Sequence, residues 1–204
     1  MNVWIVAAIG FFALLFAVKL VYVLSTALAL PATRGALFVG TSNARIDAFL
    51  DAVPMKPDDL FVDLGCGDGR VLYRAGKRFG VRGEGYELNL LAWVQAWLRH
   101  LGHRDVAVHR RNFFTADLTR ADVVFCYLFP DVMADIGNKL SLELKPGAVA
   151  VSANFPIPGW SPRKVVRPAG DMDHDPIYIY DREGAPGVTG REGPASVQNR
   201  VTAA

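Results

Sequence analysis

The spacing of apolar positions divides the chain into three regimes. From Val3 to Leu30 the sequence is almost continuously apolar, with no charge between Val3 and Val18 and Lys19 as the one interruption. About 20 helical residues cross a bilayer core, so residues 1–30 predict a single N-terminal transmembrane helix. After Pro31 the pattern becomes mixed. Ser42 and Asn43 offer N-caps to a helical spacing of Ile46, Phe49, Leu50 and Val53, which predicts a linker and pre-domain helix over 31–58. From Leu60 the pattern alternates between buried strand and amphipathic helix. Strands are predicted at 60–65, 83–87, 106–109, 121–129 and 148–155, with helices at 71–79, at 90–102 closed by Gly102, and at about 132–144. This alternation predicts an α/β domain over 59–182, a parallel sheet with helices on both faces. Residues 183–204 are rich in Gly, Pro, Ser and polar side chains and predict a disordered tail.

Composition adjusts this picture only at the edges. A length of 204 residues holds one α/β domain with an appendage. The formal charge of +2 is small and the basic residues are scattered, which argues against a nucleic-acid partner or a polyanionic substrate. Mean hydropathy is +0.21, and the N-terminal run supplies the excess. Lys19 costs about 3 kcal/mol at a helix centre, while each Leu, Ile, Phe or Val returns about 0.3–0.6 kcal/mol, so the run still inserts. Ala27-Leu28-Ala29 resembles a signal-peptide cleavage site, but no basic n-region precedes the run and the apolar stretch is long. Arg34, Arg45 and Lys56 follow it and nothing basic precedes it, which places the domain on the cytoplasmic side. Cys66 and Cys126 lack metal-ligand spacing and read as reduced, buried thiols. His100, His103, His109 and His174 show no ligand spacing either; no metal is expected, and each is read as a surface or loop residue.

The chemistry lies in Phe61-Val62-Asp63-Leu64-Gly65-Cys66-Gly67-Asp68-Gly69-Arg70, a strand that runs into a glycine-rich turn and a helix. Gly65, Gly67 and Gly69 let the backbone turn sharply and approach a ligand closely. A dinucleotide loop would carry glycine at position 70 and no acids, because its helix N-terminus meets a pyrophosphate. Asp63 and Asp68 would repel that group. They suit a ligand with an ammonium and a sulfonium, which is S-adenosylmethionine. Glu87 ends the next strand, where a carboxylate accepts from both hydroxyls of a ribose. Capping the following helix is the alternative role for Glu87. Past the third strand, Asn112 can meet an adenine edge and Phe113 its face, with core packing the rival reading for Phe113 and Phe114. Tyr127, Phe129 and Pro130 end the fourth strand, nearest a transferred methyl.

From Phe38 to Tyr180 the chain resembles the class I, seven-strand methyltransferases. More narrowly it resembles the membrane-anchored protein-lysine methyltransferases of the ATP synthase c subunit and the adenine nucleotide translocase. The residues that carry this are the hydrophobic N-terminal run, Leu37 to Ser42, DLGCGDGR at 63–70, GYELN at 85–89, KLSLELKP at 139–146, and Asn154-Phe155-Pro156-Ile157-Pro158-Gly159-Trp160. The resemblance implies a Rossmann-like seven-strand sheet, S-adenosylmethionine held by Asp63, Gly65, Gly67, Gly69 and Glu87, and the segment before the first strand folded over it. The family carries an acid at the place of Asn112 and an arginine at the place of Asn154, differences that bear on substrate.

These readings lead to one expected activity: direct transfer of the sulfonium methyl to an amine, most simply a lysine of a protein near the membrane. The acceptor pocket is expected from Tyr127, Phe129, Pro130, Asn154 and Phe155, with core packing the rival for Phe155. Two other readings stay open, a lipid, quinone or similar amphiphile as acceptor, and a membrane-bound S-adenosylmethionine sensor or scaffold without turnover.

Overall fold

The computed structural model describes residues 2–29, 40–168 and 175–186. Helices α1 (Val3–Ala29) and α2 (Asn43–Ala52) precede β1 (Leu60–Leu64), α3 (Arg70–Phe79), β2 (Arg82–Tyr86), α4 (Leu90–Arg99), β3 (Val106–His109) and β4 (Val123–Cys126). Helix α5 (Pro130–Glu143) and strands β5 (Val149–Ala153), β6 (Lys164–Val166) and β7 (Ile177–Asp181) complete the domain. The seven strands form one sheet in the order β3-β2-β1-β4-β5-β7-β6. Strands β1 to β5 are parallel, as expected, but β7 runs antiparallel to both β5 and β6, so the sheet is mixed. Strand order reverses beside β1, which opens a crevice at the carboxyl ends of β1 and β4, the position where open α/β sheets hold ligands.

Both faces of the sheet are covered. Every residue of β1 and of β4 is buried, which is why these segments read as apolar runs rather than as alternating strands. Leu60, Val62 and Leu64 point into one core with Val132, Met133, Ile136 and Leu140 of α5. Phe61 points the other way, into a core with Ile46 and Phe49 of α2 and Val71, Leu72 and Ala75 of α3. Helix and strand approach so closely there that a Cβ on Gly85 would lie 2.5 Å from Leu72 Cδ1 and 2.8 Å from Cys66 Sγ. Only glycine fits that place in β2.

Local chemistry sets the helix ends. The Ser42 hydroxyl accepts from Arg45 N–H at the start of α2, and the Asn89 carboxamide accepts from Leu91 and Ala92 N–H at the start of α4. Helix α4 ends at Arg99 with His100 as its cap, three residues short of the expected Gly102, which sits at φ 88° in the turn beyond. His100 is buried, with Nδ1 on the Ala96 carbonyl at 2.8 Å, and is not the surface residue its type suggested. Pro130 is the first residue of α5, where its missing N–H costs nothing.

The stretches 139–146 and 154–160 are largely devices of this packing. Lys139 donates to the Ala116 carbonyl at 2.6 Å, and Lys145 pairs with Asp122, whose carboxylate accepts from Leu60 N–H at the start of β1. Ile157 and Trp160 pack against Gly137 of α5, where a Cβ would come within 2.7 Å of Ile157 Cγ2. The expected boundary at 182 falls inside the fold: Arg182–Gly184 form a 3-10 turn and Ala185 is buried. Residues 187–204, the rest of the expected tail, lie outside the described residues, as do 31–39 of the linker and His174.

Helix α1 spans 27 residues, about 40 Å at 1.5 Å per residue. Its segment Val3–Val21 has a mean hydropathy of 2.4 and none of it is buried against the domain. It is long and apolar enough to cross a bilayer, a property that signal sequences share.

Tyr180 tests the join between the sheet and the segment after β5. Its ring is fully buried and its hydroxyl oxygen accepts from Ile157 N–H at 2.9 Å, while burial pushes the phenol up to about 12. Tyr180→Phe leaves that N–H buried without an acceptor, and chemical denaturation should show a loss of about 1–3 kcal/mol.

Candidate functional site

The glycine-rich turn sits at the carboxyl end of β1. Gly65, Gly67 and Gly69 all have left-handed backbone, at φ 79°, 56° and 75°, a conformation that side chains with a Cβ rarely take. The Tyr86 carbonyl accepts from Gly65 and Cys66 N–H at 2.9 and 3.1 Å, which ties the turn to the end of β2. At Gly69 a Cβ would lie 2.8 Å from the His100 ring, so the buried histidine of α4 is the floor on which the turn rests.

Three carboxylates surround this turn in three different states. Asp63 is buried, and its Oδ2 has no hydrogen-bond partner. Burial first, then the nearby charges of Glu87 and Asp68, push its carboxyl well above the usual range. Asp68 is also desolvated, but Arg70 holds it bidentately, with Nε at 2.9 Å from Oδ1 and Nη2 at 2.9 Å from Oδ2, and Arg99 adds a further contact at 2.9 Å. These cations outweigh the cost of burial and keep Asp68 below the ordinary carboxylate range. Glu87 accepts from Gly67 N–H at 2.9 Å and Asn89 N–H at 2.7 Å. Burial still raises its pKa, with those N–H groups pulling it back. The two roles expected of Glu87 are therefore not exclusive: it braces the turn and the start of α4 with two acceptor sites, and a carboxylate offers about four.

Asp63, Gly65 and Tyr127 line one small cavity of about 20 Å³, closed on its other sides by Gly40, Thr41 and Phe125. Gly40 and Thr41 precede α2, so the part of the pre-domain segment within the described residues does fold over the turn, with the Thr41 carbonyl accepting from Arg70 at 3.3 Å. The other expected residues lie apart from this cavity. Asn112 caps a 3-10 turn (Phe113–Thr115) through its side-chain oxygen, which accepts from Phe114 N–H at 3.0 Å, leaving the carboxamide nitrogen outside the turn. Phe113 and Phe155 are half-buried against the α5 side of the sheet, whereas Tyr127 packs against the α2 side. Phe129 and Pro130 are exposed at the mouth of β4. Asn154 has φ 72°, the one non-glycine among the described residues in the left-handed region, and its N–H donates to the Pro176 carbonyl at 2.7 Å.

Arg45 was not singled out by the sequence beyond its charge. It is 1 % exposed, pairs with Asp175 at 2.9 Å, and sets its guanidinium 4.8 Å from the centroid of the Tyr127 ring. A signal was present: Arg45 stands four residues before Phe49, on the apolar face of α2. The part of Arg99 in the clamp on Asp68 likewise depends on a contact between separate elements, whereas Arg70 reaches only two residues along the chain.

The chain matches the ANTKMT methyltransferase domain family over residues 63–164. It is also 35 % identical over 149 residues to a protein-lysine N-methyltransferase of Saccharolobus islandicus, covering 70 % of this chain and 91 % of that one. The chain belongs to this methyltransferase family. A second member, the adenine nucleotide translocase lysine N-methyltransferase of Mus musculus, is 35 % identical over 153 residues, which cover 72 % of this chain and 64 % of the mouse protein. Among solved structures, an RNA methyltransferase of Salinibacter ruber in complex with S-adenosyl-L-homocysteine is 30 % identical, with a TM-score of 0.65 over 79 % of this chain and all of that one. The family member described here is thus an S-adenosylmethionine-dependent methyltransferase with the Rossmann-like fold of its class.

The residues present fit that cofactor. A buried carboxylate oxygen without a partner is costly unless a cation or donor meets it, and Asp63 Oδ2 is such an atom within a cradle built by glycines. The raised pKa of Asp63 gives a stability signature in the absence of cofactor. Its folded-state value lies above that of the unfolded chain, so the native protein holds the extra proton between the two and loses stability as pH rises through that window. Asp63→Asn should remove this loss, being as stable as the parent at low pH and more stable by roughly 1–3 kcal/mol above the window. Denaturation curves across pH measure it; a difference that does not change with pH would assign the proton to another group.

Proposed function

We propose that this methyltransferase acts on a lysine side chain of a membrane protein, with α1 as a single-pass anchor and the catalytic domain on the cytoplasmic side. The cofactor assignment within this reading rests on the orphaned, buried Asp63 oxygen beside the glycine turn. The acceptor is taken from the two relatives described as lysine methyltransferases, each 35 % identical. The anchor is taken from the length, hydropathy and exposure of α1.

S-Adenosylmethionine supplies a methyl group already activated by its sulfonium, so the protein needs no covalent nucleophile. In the proposed site Asp63 receives the cationic end of the cofactor, and the backbone at Gly65, Gly67 and Gly69 lets it come close. Glu87 offers its remaining lone pairs to the ribose hydroxyls, Asn112 its carboxamide nitrogen to the adenine edge, and Phe113 a face for the ring. Tyr127, Phe129, Pro130, Asn154 and Phe155 rim the acceptor. An incoming lysine must lose its proton before it can attack, and aromatic surroundings lower its pKa by desolvation. Arg45 holds the Tyr127 ring in position from beneath.

Two measurements test this reading. A hydrogen bond to a charged group contributes about 1.5–3 kcal/mol, so Glu87→Ala should weaken S-adenosylhomocysteine binding about 10–100-fold in calorimetry while circular dichroism shows an intact fold. Unchanged affinity would take Glu87 out of the site. Incubating the full chain with isolated membranes and methyl-labelled cofactor should place label in protein, recovered as methyl-lysine after acid hydrolysis. Label in extractable lipid would establish the amphiphile reading, label in RNA would align the chain with its Salinibacter relative, and no label with intact cofactor binding would leave the sensor reading.

A further inference from the structure

A groove in the described part of the molecule lies beside the glycine turn, outside the small cavity at Asp63. It has a volume of about 520 Å³ and runs along α2, α3 and the end of α4. Among its lining residues five are basic and one, Asp47, is acidic. Arg70, Arg74, Lys77 and Arg78 follow a spacing of four, three and one, which groups them on one side of α3, flanking the buried stripe of Val71, Leu72 and Ala75. Three carboxylates partly offset them: Asp47 pairs with Arg74, Asp51 with Arg78 at 2.7 Å, and Asp68 with both Arg70 and Arg99. All four arginines remain between 32 and 43 % exposed, so their heads stay accessible at the groove.

Beside this basic strip is an apolar one. Trp97 and Leu98 in the last turn of α4, and Leu101 in the turn just beyond it, are 48, 53 and 54 % exposed, next to Arg99 in sequence. Helix α1 also comes near α4, although its segment Val3–Val21 stays exposed. Basic side chains flanking an exposed tryptophan and leucines form the profile of a surface that rests in the headgroup layer of an anionic bilayer.

We propose that this face of α3 and α4 docks the catalytic domain onto an anionic lipid surface, with the basic strip on the headgroups and Trp97, Leu98 and Leu101 in the interface. The proposal rests on α1 being an anchor, because α1 brings this face to the membrane. Charge complementarity with anionic lipid and continuity with α1 select the occupant. RNA would satisfy the basic strip but gives no gain for burying Leu98 and Leu101, whereas a bilayer satisfies both.

The test uses the full chain with Leu101→Cys carrying a polarity-sensitive fluorophore, in vesicles of phosphatidylcholine alone or with phosphatidylglycerol; Cys66 and Cys126 are buried. Flotation with neutral vesicles, retained after alkaline carbonate, reads the anchor separately. The expected result is flotation with both vesicles and a blue shift of the label only with anionic lipid. High salt should reverse that shift in the unaltered basic strip, and Arg74→Gln/Lys77→Gln/Arg78→Gln should abolish it. Flotation with a label indifferent to lipid charge and salt would overturn the docking face and leave the anchor standing. Failure to float would overturn the anchor and the proposal with it. Single-stranded RNA that binds the chain and loses affinity in the triple variant, with no lipid-dependent shift, would assign the groove to nucleic acid and overturn the proposal.

Discussion

One carboxylate that cannot be satisfied by its own chain governs the architecture around it. Asp63 lies next to the carboxyl end of β1, an inner strand of a sheet covered on both faces, and its Oδ2 is buried without a partner. The fold bears this cost by stabilising the neighbours instead. Asp68 receives Arg70 and Arg99, while Glu87 receives backbone N–H groups, so of these three acids Asp63 alone keeps a buried oxygen without a partner among the described residues. A site arranged in this way favours a cation over an anion by electrostatics alone, and it excludes the pyrophosphate that a similar turn binds elsewhere. Strain of this kind at a ligand site is stored by the surrounding packing rather than by the site itself. Here that packing is the close contact of Gly85 with Leu72 and Cys66, and of Gly69 with His100.

The parts of the structure that were readable in advance are those written in contiguous residues. The strand and turn from Phe61 to Arg70 announce themselves because burial on both faces demands an unbroken apolar run and the turn demands glycine. Ser42 as a cap was equally legible, since its partner is three residues away. What escaped was set by distance in the chain. The antiparallel direction of β7 follows from its pairing with β5 and β6, and the five residues Ile177–Asp181 carry no mark of direction. Gly102 attracted the predicted end of α4, but the helix stops at His100, whose ring is claimed by the turn at Gly69. Arg45 is the sharpest case, because a charged residue among apolar ones on α2 becomes intelligible only when Tyr127 and Asp175, from distant segments, meet it.

The acceptor side was less legible than the cofactor side for a physical reason. Cofactor recognition needs backbone shape and fixed charges, which glycines and acids encode locally. Acceptor recognition needs aromatic residues to converge, and an aromatic residue packs in a core as readily as it lines a pocket. Tyr127 and Phe155 illustrate this: they follow the ends of β4 and β5, yet they pack on opposite sides of the sheet. Asn154, by contrast, carries a conformational mark, a left-handed backbone in a residue that has a Cβ, and that mark separates it from ordinary core or loop positions.

A membrane anchor changes what such a pocket has to accomplish. Tethering enzyme and acceptor to one surface would make their encounter one governed by effective concentration, and little binding energy would then be needed to bring the proposed acceptor in. The proposed docking face would add orientation, which tethering alone lacks: a domain laid down on α3 and α4 would present its site in one direction. The connection to catalysis is direct. Arg70 and Arg99, at the edge of the basic groove, are also the residues that clamp Asp68 beneath the glycine turn. If this face meets anionic headgroups, they would compete with Asp68 for these arginines, and contact with the membrane would be coupled to the electrostatics of the cofactor loop through two shared side chains.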